Sequence, residues 1–158
     1  SDLPLALALW GDPAVTQFIS SHPLSEADVR LRLARELDFH DSFGIQYWPI
    51  FLLPTGEHVG CCGLRPRATA PDVPELGVHI RSAHWRRGFA FESTSVVISY
   101  AFNVLGYSAL FAGHNPRNES SRALLARLGF RHTHDELYPP TGLSHPSYLL
   151  ARPMAPTA

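Results

Sequence analysis

The most constraining feature of this sequence is a strand pattern that leads through a glycine into a helical pattern and then into a second strand. Residues 75–80 alternate between apolar side chains and polar or small ones, which predicts a strand with one core face and one available face. From Gly88 onward apolar residues recur at helical spacing until Gly106 ends the run. Residues 108–113 then form a short apolar run that is typical of a buried strand.

The remaining segments add helices before this unit and further strands around it. We predict a first helix at 3–10, a short one opened by Asp12, and one from Ser25 to Phe39 with Val29, Leu33 and Leu37 on its buried stripe. Further predictions are a hairpin of 44–53 and 58–64, a helix at 118–128, and strands at 130–138 and 147–152. This order describes a mixed α/β sheet with helices on both faces. The 158 residues, 45% of them apolar, suit a single domain spanning 1–158.

Charge and cysteine usage narrow the partners and the compartment. The 13 basic residues, all Arg, nearly match 14 acidic ones, so net charge favours neither nucleic acid nor an anionic membrane as partner. Cys61 and Cys62 are neighbours in a strand pattern, where side chains point to opposite faces, which argues against a disulfide scaffold. With no visible signal peptide or membrane span, we expect a cytoplasmic protein.

Two segments are candidates for chemistry. The first reads Trp85-Arg86-Arg87-Gly88-Phe89-Ala90 and stands between a strand and a helix, where free N–H groups, the helix dipole and two Arg side chains can hold a pyrophosphate. A basic pair before a helix is more often solvated surface. The second segment, 115–130, places Asn118 and Ser121 on the first turn of a helix, where capping is the simpler interpretation.

Together, and separated by a helix and a strand, these two segments resemble the GNAT superfamily of acetyl-CoA-dependent N-acetyltransferases. The resemblance covers essentially the whole chain and is nearest to the Rim-type branch, which acetylates ribosomal-protein N-termini. Its motifs are Leu9-Trp10-Gly11-Asp12-Pro13, Glu75-Leu76-Gly77, the 85–90 segment with Glu92, and 118–130. It implies a GNAT-like acyl-CoA N-acyltransferase fold with a mostly antiparallel central sheet. The family usually begins with a strand, which is missing before the first helix here, so we expect it upstream and expect the exposed sheet edge to permit a homodimer.

The resemblance also assigns roles to individual residues. It implies that backbone groups of Val78, His79 and Ile80 hold the pantetheine arm of acetyl-CoA, that Asn118 contacts the same arm, and that the pyrophosphate lies on Trp85, Arg86, Arg87, Gly88, Phe89 and Ala90. Ser121 is expected to protonate the departing thiolate and Glu75 to act as general base, with His79 as the alternative base. Two departures are Arg86, where the family often has glycine, and Leu125, where other branches often have a tyrosine acid.

The expected reaction is direct transfer of the acetyl group to a primary amine, without a metal. The rival from another class is a catalytically inactive module that binds acetyl-CoA or CoA. A metal site on His132, His134 and His145 and a nucleophilic Cys61 or Cys62 are weaker alternatives. A protein N-terminus, a polyamine, an amino acid and an aminoglycoside-like antibiotic all stay open as acceptors.

Overall fold

A computed structural model describes residues 2–154 as five α-helices and six strands around one sheet. The helices are α1 (Leu3–Trp10), α2 (Pro13–Thr16), α3 (Glu26–Phe43), α4 (Phe89–Asn103) and α5 (Glu119–Arg127). The strands are β1 (Tyr47–Phe51), β2 (His58–Arg65), β3 (Glu75–Ile80), β4 (Ala109–Gly113), β5 (Arg131–Tyr138) and β6 (Leu143–Ala151). A short 3₁₀ turn, Ser82–His84, links β3 to the loop before α4.

The sheet has the strand order β1-β2-β3-β4-β6-β5, and every neighbouring pair except β3 and β4 is antiparallel. Among the described residues, β3 and β4 pair at a single register position, Glu75 with Phe111, where the Phe111 N–H donates to the Pro74 carbonyl at 2.9 Å. By contrast, β4 pairs with β6 at every residue from Ala109 to Gly113. The sheet is therefore mostly antiparallel, as predicted, and it opens between β3 and β4.

Helices cover both faces of this sheet. On one face α4 and α5 pack through Val97, Phe102 and Leu125 on an apolar cluster that includes Cys62. On the other, α1, α2 and α3 pack on a second cluster that includes Cys61. The two adjacent cysteines belong to different clusters and are both free, so the predicted alternation in this strand is confirmed.

Two details differ from the sequence predictions. Helix α3 continues to Phe43, and its predicted stripe is wrong at Leu37, which is 52% exposed, whereas Glu36 beside it is 2% exposed. Glu36 turns inward because its carboxylate accepts hydrogen bonds from the Tyr47 N–H and from Arg65. Strand β6 also begins at Leu143 rather than at residue 147, because the ladder with β5 extends to the turn at Gly142.

The two edges of the described sheet are β1 and β5. All eight residues of β5 are exposed. Pairing with a second copy at an edge stays a prediction. Within residues 2–154, no helix combines the length and the apolar character needed to cross a membrane.

Candidate functional site

The opening between β3 and β4 is the floor of a cleft of about 1060 Å³. Its wall brings together both segments singled out in the sequence, the loop at 85–90 and the first turn of α5. The cleft is also lined by residues of α2 and the turn after it, by Tyr47 and by the β5–β6 hairpin. The volume is close to the upper end of the range for small-molecule sites.

At one end of the cleft, the start of α4 presents unpaired backbone donors. Gly88 is the N-cap residue with φ +84° and has open space where a Cβ would be. The first bond across the helix start is from the Glu92 N–H to the Gly88 carbonyl. Within the described chain, the N–H groups of Phe89, Ala90 and Phe91 therefore have no acceptor and no side-chain cap. Such groups, with the positive end of the helix dipole, favour a phosphate.

Arg86 in the same loop has φ +60°, the left-handed region that favours glycine. Glycine adopts this conformation without strain, which explains why the family often has glycine here. For Arg86 the same conformation costs about 1–2 kcal/mol. The Arg86 side chain is exposed and lines the cleft. It adds a full positive charge beside the unpaired N–H groups.

Two contacts hold the loop against the sheet. The Trp85 indole Nε1 donates to the Ile80 carbonyl at 2.7 Å, although the side chain is 45% exposed. Arg87 Nη1 donates to His84 Nδ1 at 3.0 Å, and the buried His84 ring lies 3.1 Å from the Glu57 carboxylate. The indole N–H of Trp85 and one N–H of Arg87 therefore position the loop.

The backbone N–H and C=O groups of successive β3 residues point alternately towards β2 and towards the cleft. The Arg81 N–H donates to the Val59 carbonyl of β2, and the same alternation turns the backbone groups of His79 towards β2. Val78 therefore presents both its N–H and its carbonyl at the open edge facing β4, whereas Ile80 presents its N–H there and its carbonyl is taken by the Trp85 indole. Of the three residues predicted to bind pantetheine through the backbone, Val78 has both groups in the required orientation and Ile80 has its N–H. His79 contributes its side chain to the cleft wall instead.

On the other side of the cleft, Asn118 caps α5. Its Oδ1 accepts from the Ser121 N–H at 3.0 Å, so the capping interpretation holds for this oxygen. Ser121 lines the cleft, and its Oγ makes no hydrogen bond to any described residue. Leu125 is buried in the apolar cluster below. Ser120 and Ser121 are thus the two hydroxyl residues that α5 places along the cleft.

Glu75 lies on the cleft wall at the base of the β3–β4 opening. It is partly buried, and the structure brings it near the Arg65 and Arg67 side chains. Burial raises the pKa of Glu75, although both guanidinium groups act in the opposite direction. A carboxylate with a raised pKa is a stronger proton acceptor than an exposed one.

His79, the alternative base, has its Nδ1 occupied. The Trp10 indole Nε1 donates to this atom at 3.0 Å, and the ring packs edge-to-face against Tyr47. Burial and the nearby Arg32 and Arg65 hold the pKa of His79 well below its ordinary value. The ring is therefore neutral, with its proton on Nε2.

Two cleft residues were missed by the sequence analysis. Arg32 of α3 lines the cleft, and the available signal was its position three residues after Val29, on the face that also carries Glu36. His114 follows β4, donates from Nδ1 to the Asn115 carbonyl and accepts at Nε2 from the Tyr148 hydroxyl. No local sequence pattern predicts the hydrogen bond between His114 and Tyr148, because Tyr148 is on β6, far along the chain.

The weaker alternatives gain no support from geometry. Burial raises the pKa of Cys61 and of Cys62 to about 12, so neither thiol is a ready nucleophile. His132 and His134 contact different carboxylates, those of Asp135 and Glu136. Among residues 2–154, no three His, Cys, Asp or Glu side chains are grouped as metal ligands.

Similar folds occur among solved structures. An acetyltransferase from Agrobacterium tumefaciens str. C58 matches with a TM-score of 0.80 and 23% identity, covering 96% of this chain and 85% of that one. A ribosomal-protein-S5-alanine acetyltransferase from Vibrio fischeri matches with a TM-score of 0.72 and 15% identity, covering 94% and 88%. At these identities the likeness shows the fold alone.

Sequence relatives are closer. An uncharacterized N-acetyltransferase of Bacillus subtilis (strain 168), YoaA, is 38% identical over 132 residues, which is 82% of this chain and 74% of that protein. The family model described as acetyltransferase (GNAT) domain matches residues 1–131, a span that includes β3, the loop at 85–90 and α5. The chain therefore belongs to the GNAT acetyltransferase family.

Proposed function

We propose that this protein is an acetyl-CoA-dependent N-acetyltransferase that transfers the acetyl group to a primary amine. The observation that carries the proposal is one cleft with two chemically different ends. Unpaired N–H groups of Phe89, Ala90 and Phe91 lie at one end, and the partly buried Glu75 lies at the other. When acetyl-CoA binds between them, its thioester lies near a proton acceptor and its phosphates lie at the start of α4.

Each part of acetyl-CoA has a chemically suitable neighbour in this cleft. The pyrophosphate belongs at 85–90, where Arg86, Arg87 and the start of α4 offer positive charge and N–H donors. The N–H and carbonyl of Val78 and the N–H of Ile80 suit the amide groups of the pantetheine arm. Asn118, whose Oδ1 caps α5, retains its amide NH₂ for the same arm.

In the proposed mechanism, Glu75 accepts a proton from the ammonium form of the acceptor, directly or through a water, because only the neutral amine has a lone pair for attack. The amine nitrogen attacks the thioester carbonyl, and the Val78 N–H stabilises the oxyanion. Collapse breaks the carbon–sulfur bond, and Ser121 Oγ donates a proton to the leaving thiolate. The second proton of the amine passes through water to Ser121 Oγ, and Glu75 releases its proton to solvent. The products are an amide and coenzyme A.

The acceptor is an α-amine in this proposal, either a free one or a protein N-terminus as in the Rim-type branch. The ribosomal-protein acetyltransferase from Vibrio fischeri supports the second only at the level of fold. The remaining parts of the proposal are a single domain over 1–158, a cytoplasmic location and self-association at a sheet edge.

The first test is a titration with acetyl-CoA that follows thermal stability. We expect the melting temperature to rise, as it does when a ligand binds the folded state. Gly88→Glu should abolish this rise, because it adds a negative charge at the start of α4. Gly106→Glu is the matched control, since Gly106 also has a positive φ (+78°) and open space but is remote from the cleft.

The inactive module is the second candidate, and Leu125 in place of a tyrosine acid favours it. Thiol release separates the two. Acetyl-CoA binding without CoA release across a broad set of amines means a binding module. No thermal shift at millimolar acetyl-CoA means that the family fold persists without its ligand.

A further inference from the structure

Arg32 is a charged residue on the cleft wall for which the proposed mechanism has no use. It comes from α3, and its guanidinium carbon lies 5.0 Å from the centre of the Trp10 ring. Trp10 in turn hydrogen-bonds to His79, and Tyr47 packs on the same imidazole. Arg32 is therefore on the sheet face that carries Glu75 and His79, at the acceptor end of the cleft.

The Glu75 carboxylate acts on this guanidinium only through space, and no carboxylate in the part of the chain that the structure describes forms an ion pair with it. Arg32 makes no hydrogen bond and no ion pair, and its Nε is buried without an acceptor. The neighbouring Arg65 differs, because its guanidinium is bound to the buried Glu36 carboxylate. Arg32 is partly buried, and the ring of Trp10 compensates part of the cost of removing its charge from water. A partly buried cation without a hydrogen-bonded anion is otherwise unfavourable.

Acetyl-CoA is not the source of the missing anion. Its negative charges are all on phosphates, and the site proposed for them is the loop at 85–90 before α4. Helix α4 packs on the opposite sheet face from the cluster that holds Tyr47 and Cys61, the residues around Arg32. The anion that neutralises Arg32 therefore has to arrive with the acceptor.

We propose that the acceptor is a primary amine that also carries a carboxylate, and that Arg32 binds this carboxylate while the amine faces Glu75. This inference rests on the proposed function and specifies its substrate class. The forked guanidinium donors of Arg32 match the two oxygens of a carboxylate. Polyamines and aminoglycosides bring several positive charges and no anion to this guanidinium, so they are poor acceptors. The carboxylate can belong to a free amino acid or to an acidic residue at a peptide N-terminus.

The test compares acceptors in matched pairs by the initial rate of CoA release at saturating acetyl-CoA. Free amino acids are paired with their carboxamides, and peptides beginning with Asp or Glu with those beginning with Asn or Gln. We expect kcat/KM to be about tenfold to a hundredfold higher for the carboxylate member, the range for one charged hydrogen-bonding partner. The peptide pairs and the amino-acid pairs distinguish the two sources.

Arg32→Gln should lower kcat/KM for the acceptor with the carboxylate and leave it unchanged for the carboxamide, so that the two values become equal. The affinity for acetyl-CoA should not change. Arg32→Lys keeps the charge without the fork and should retain part of the preference. The matched control is Arg35→Gln on the exposed side of the same helix, which should retain all of it.

The two proposals fail in different ways. Equal rates for both members of every pair in the wild-type protein overturn the inference and leave the transferase intact. A preference that survives in Arg32→Gln also overturns it. An absence of CoA release with every amine overturns the proposed function, and the inference falls with it.

Discussion

The indole Nε1 of Trp10 donates a hydrogen bond to Nδ1 of His79 at 3.0 Å, joining the last residue of α1 to the penultimate residue of β3. The acceptor nitrogen of the imidazole is thereby used within the protein, and burial with nearby Arg residues lowers the pKa of His79 well below its ordinary value. A neutral ring with an occupied Nδ1 is a poor general base. The hydrogen bond thus favours Glu75 over His79 as the proposed general base.

We expect Glu75→Gln to lower kcat/KM for the amine by about a hundredfold or more, the usual contribution of a positioned general base. Its affinity for acetyl-CoA should not change, because Glu75 lies away from the loop at 85–90. His79→Gln is the comparison and should reduce the rate far less. CoA release measures the rates, and a Glu75→Gln protein as fast as the wild type would show that the base is elsewhere.

The pH dependence of the same reaction gives a second prediction. Burial raises the pKa of Glu75 above 4.5, so the carboxylate form is lost at a higher pH than for an exposed glutamate. In the wild-type protein, kcat/KM should therefore fall as the pH decreases through this raised pKa. The residual activity of Glu75→Gln should lack that acidic limb. An unchanged acidic limb in the variant assigns the titration to another group.

The raised pKa also predicts how stability depends on pH. A carboxyl group with a folded pKa above its unfolded value favours folding while protonated, and this contribution is lost as pH rises through the folded pKa. Glu75→Gln should therefore raise the melting temperature at pH 7 and leave it nearly unchanged near pH 4. Calorimetry at the two pH values tests this, and a loss of stability at pH 7 contradicts it. A higher melting temperature for Glu75→Gln at pH 7 would mean that the charge of Glu75 lowers stability, as functional charges commonly do.

Asn118 has two expected roles that can be separated. Asn118→Ala removes the N-cap of α5 and should cost about 1 kcal/mol of unfolding free energy. It should also weaken acetyl-CoA binding, because the amide group is lost from the cleft. Ser25→Ala removes the cap of α3, whose capping box is remote from the cleft, and should destabilise without changing acetyl-CoA affinity. If the two variants bind acetyl-CoA equally well, Asn118 acts only as the N-cap of α5.

The ion pair of Glu36 and Arg65 should be the most sensitive polar contact between α3 and the sheet. Glu36→Gln leaves a largely buried guanidinium without its anion and should lower the free energy of unfolding by about 3 kcal/mol. The exposed pair of Glu119 and Arg122 serves as the control, and Glu119→Gln should cost less than about 1 kcal/mol. Urea unfolding distinguishes these values, and similar losses in the two variants would contradict the burial argument.

The sequence alone determined the features that depend on a few neighbouring residues. Strand alternation assigned Cys61 and Cys62 to opposite faces, and glycine with helical spacing marked the start of α4 at Gly88. Asn118 was recognised as a helix cap because capping is a local hydrogen bond. The family pattern places the loop at 85–90 and α5 in one predicted site.

Tertiary structure decided which groups face the cleft and which charges are neutralised. The register of β3 on β2 turns the backbone of Val78 to the opening and that of His79 away from it. Glu36 and Arg32 share one face of α3, yet the first is bound to Arg65 and the second is left without an anion. A local pattern cannot assign these differences, because burial and pairing depend on residues that other elements bring into contact.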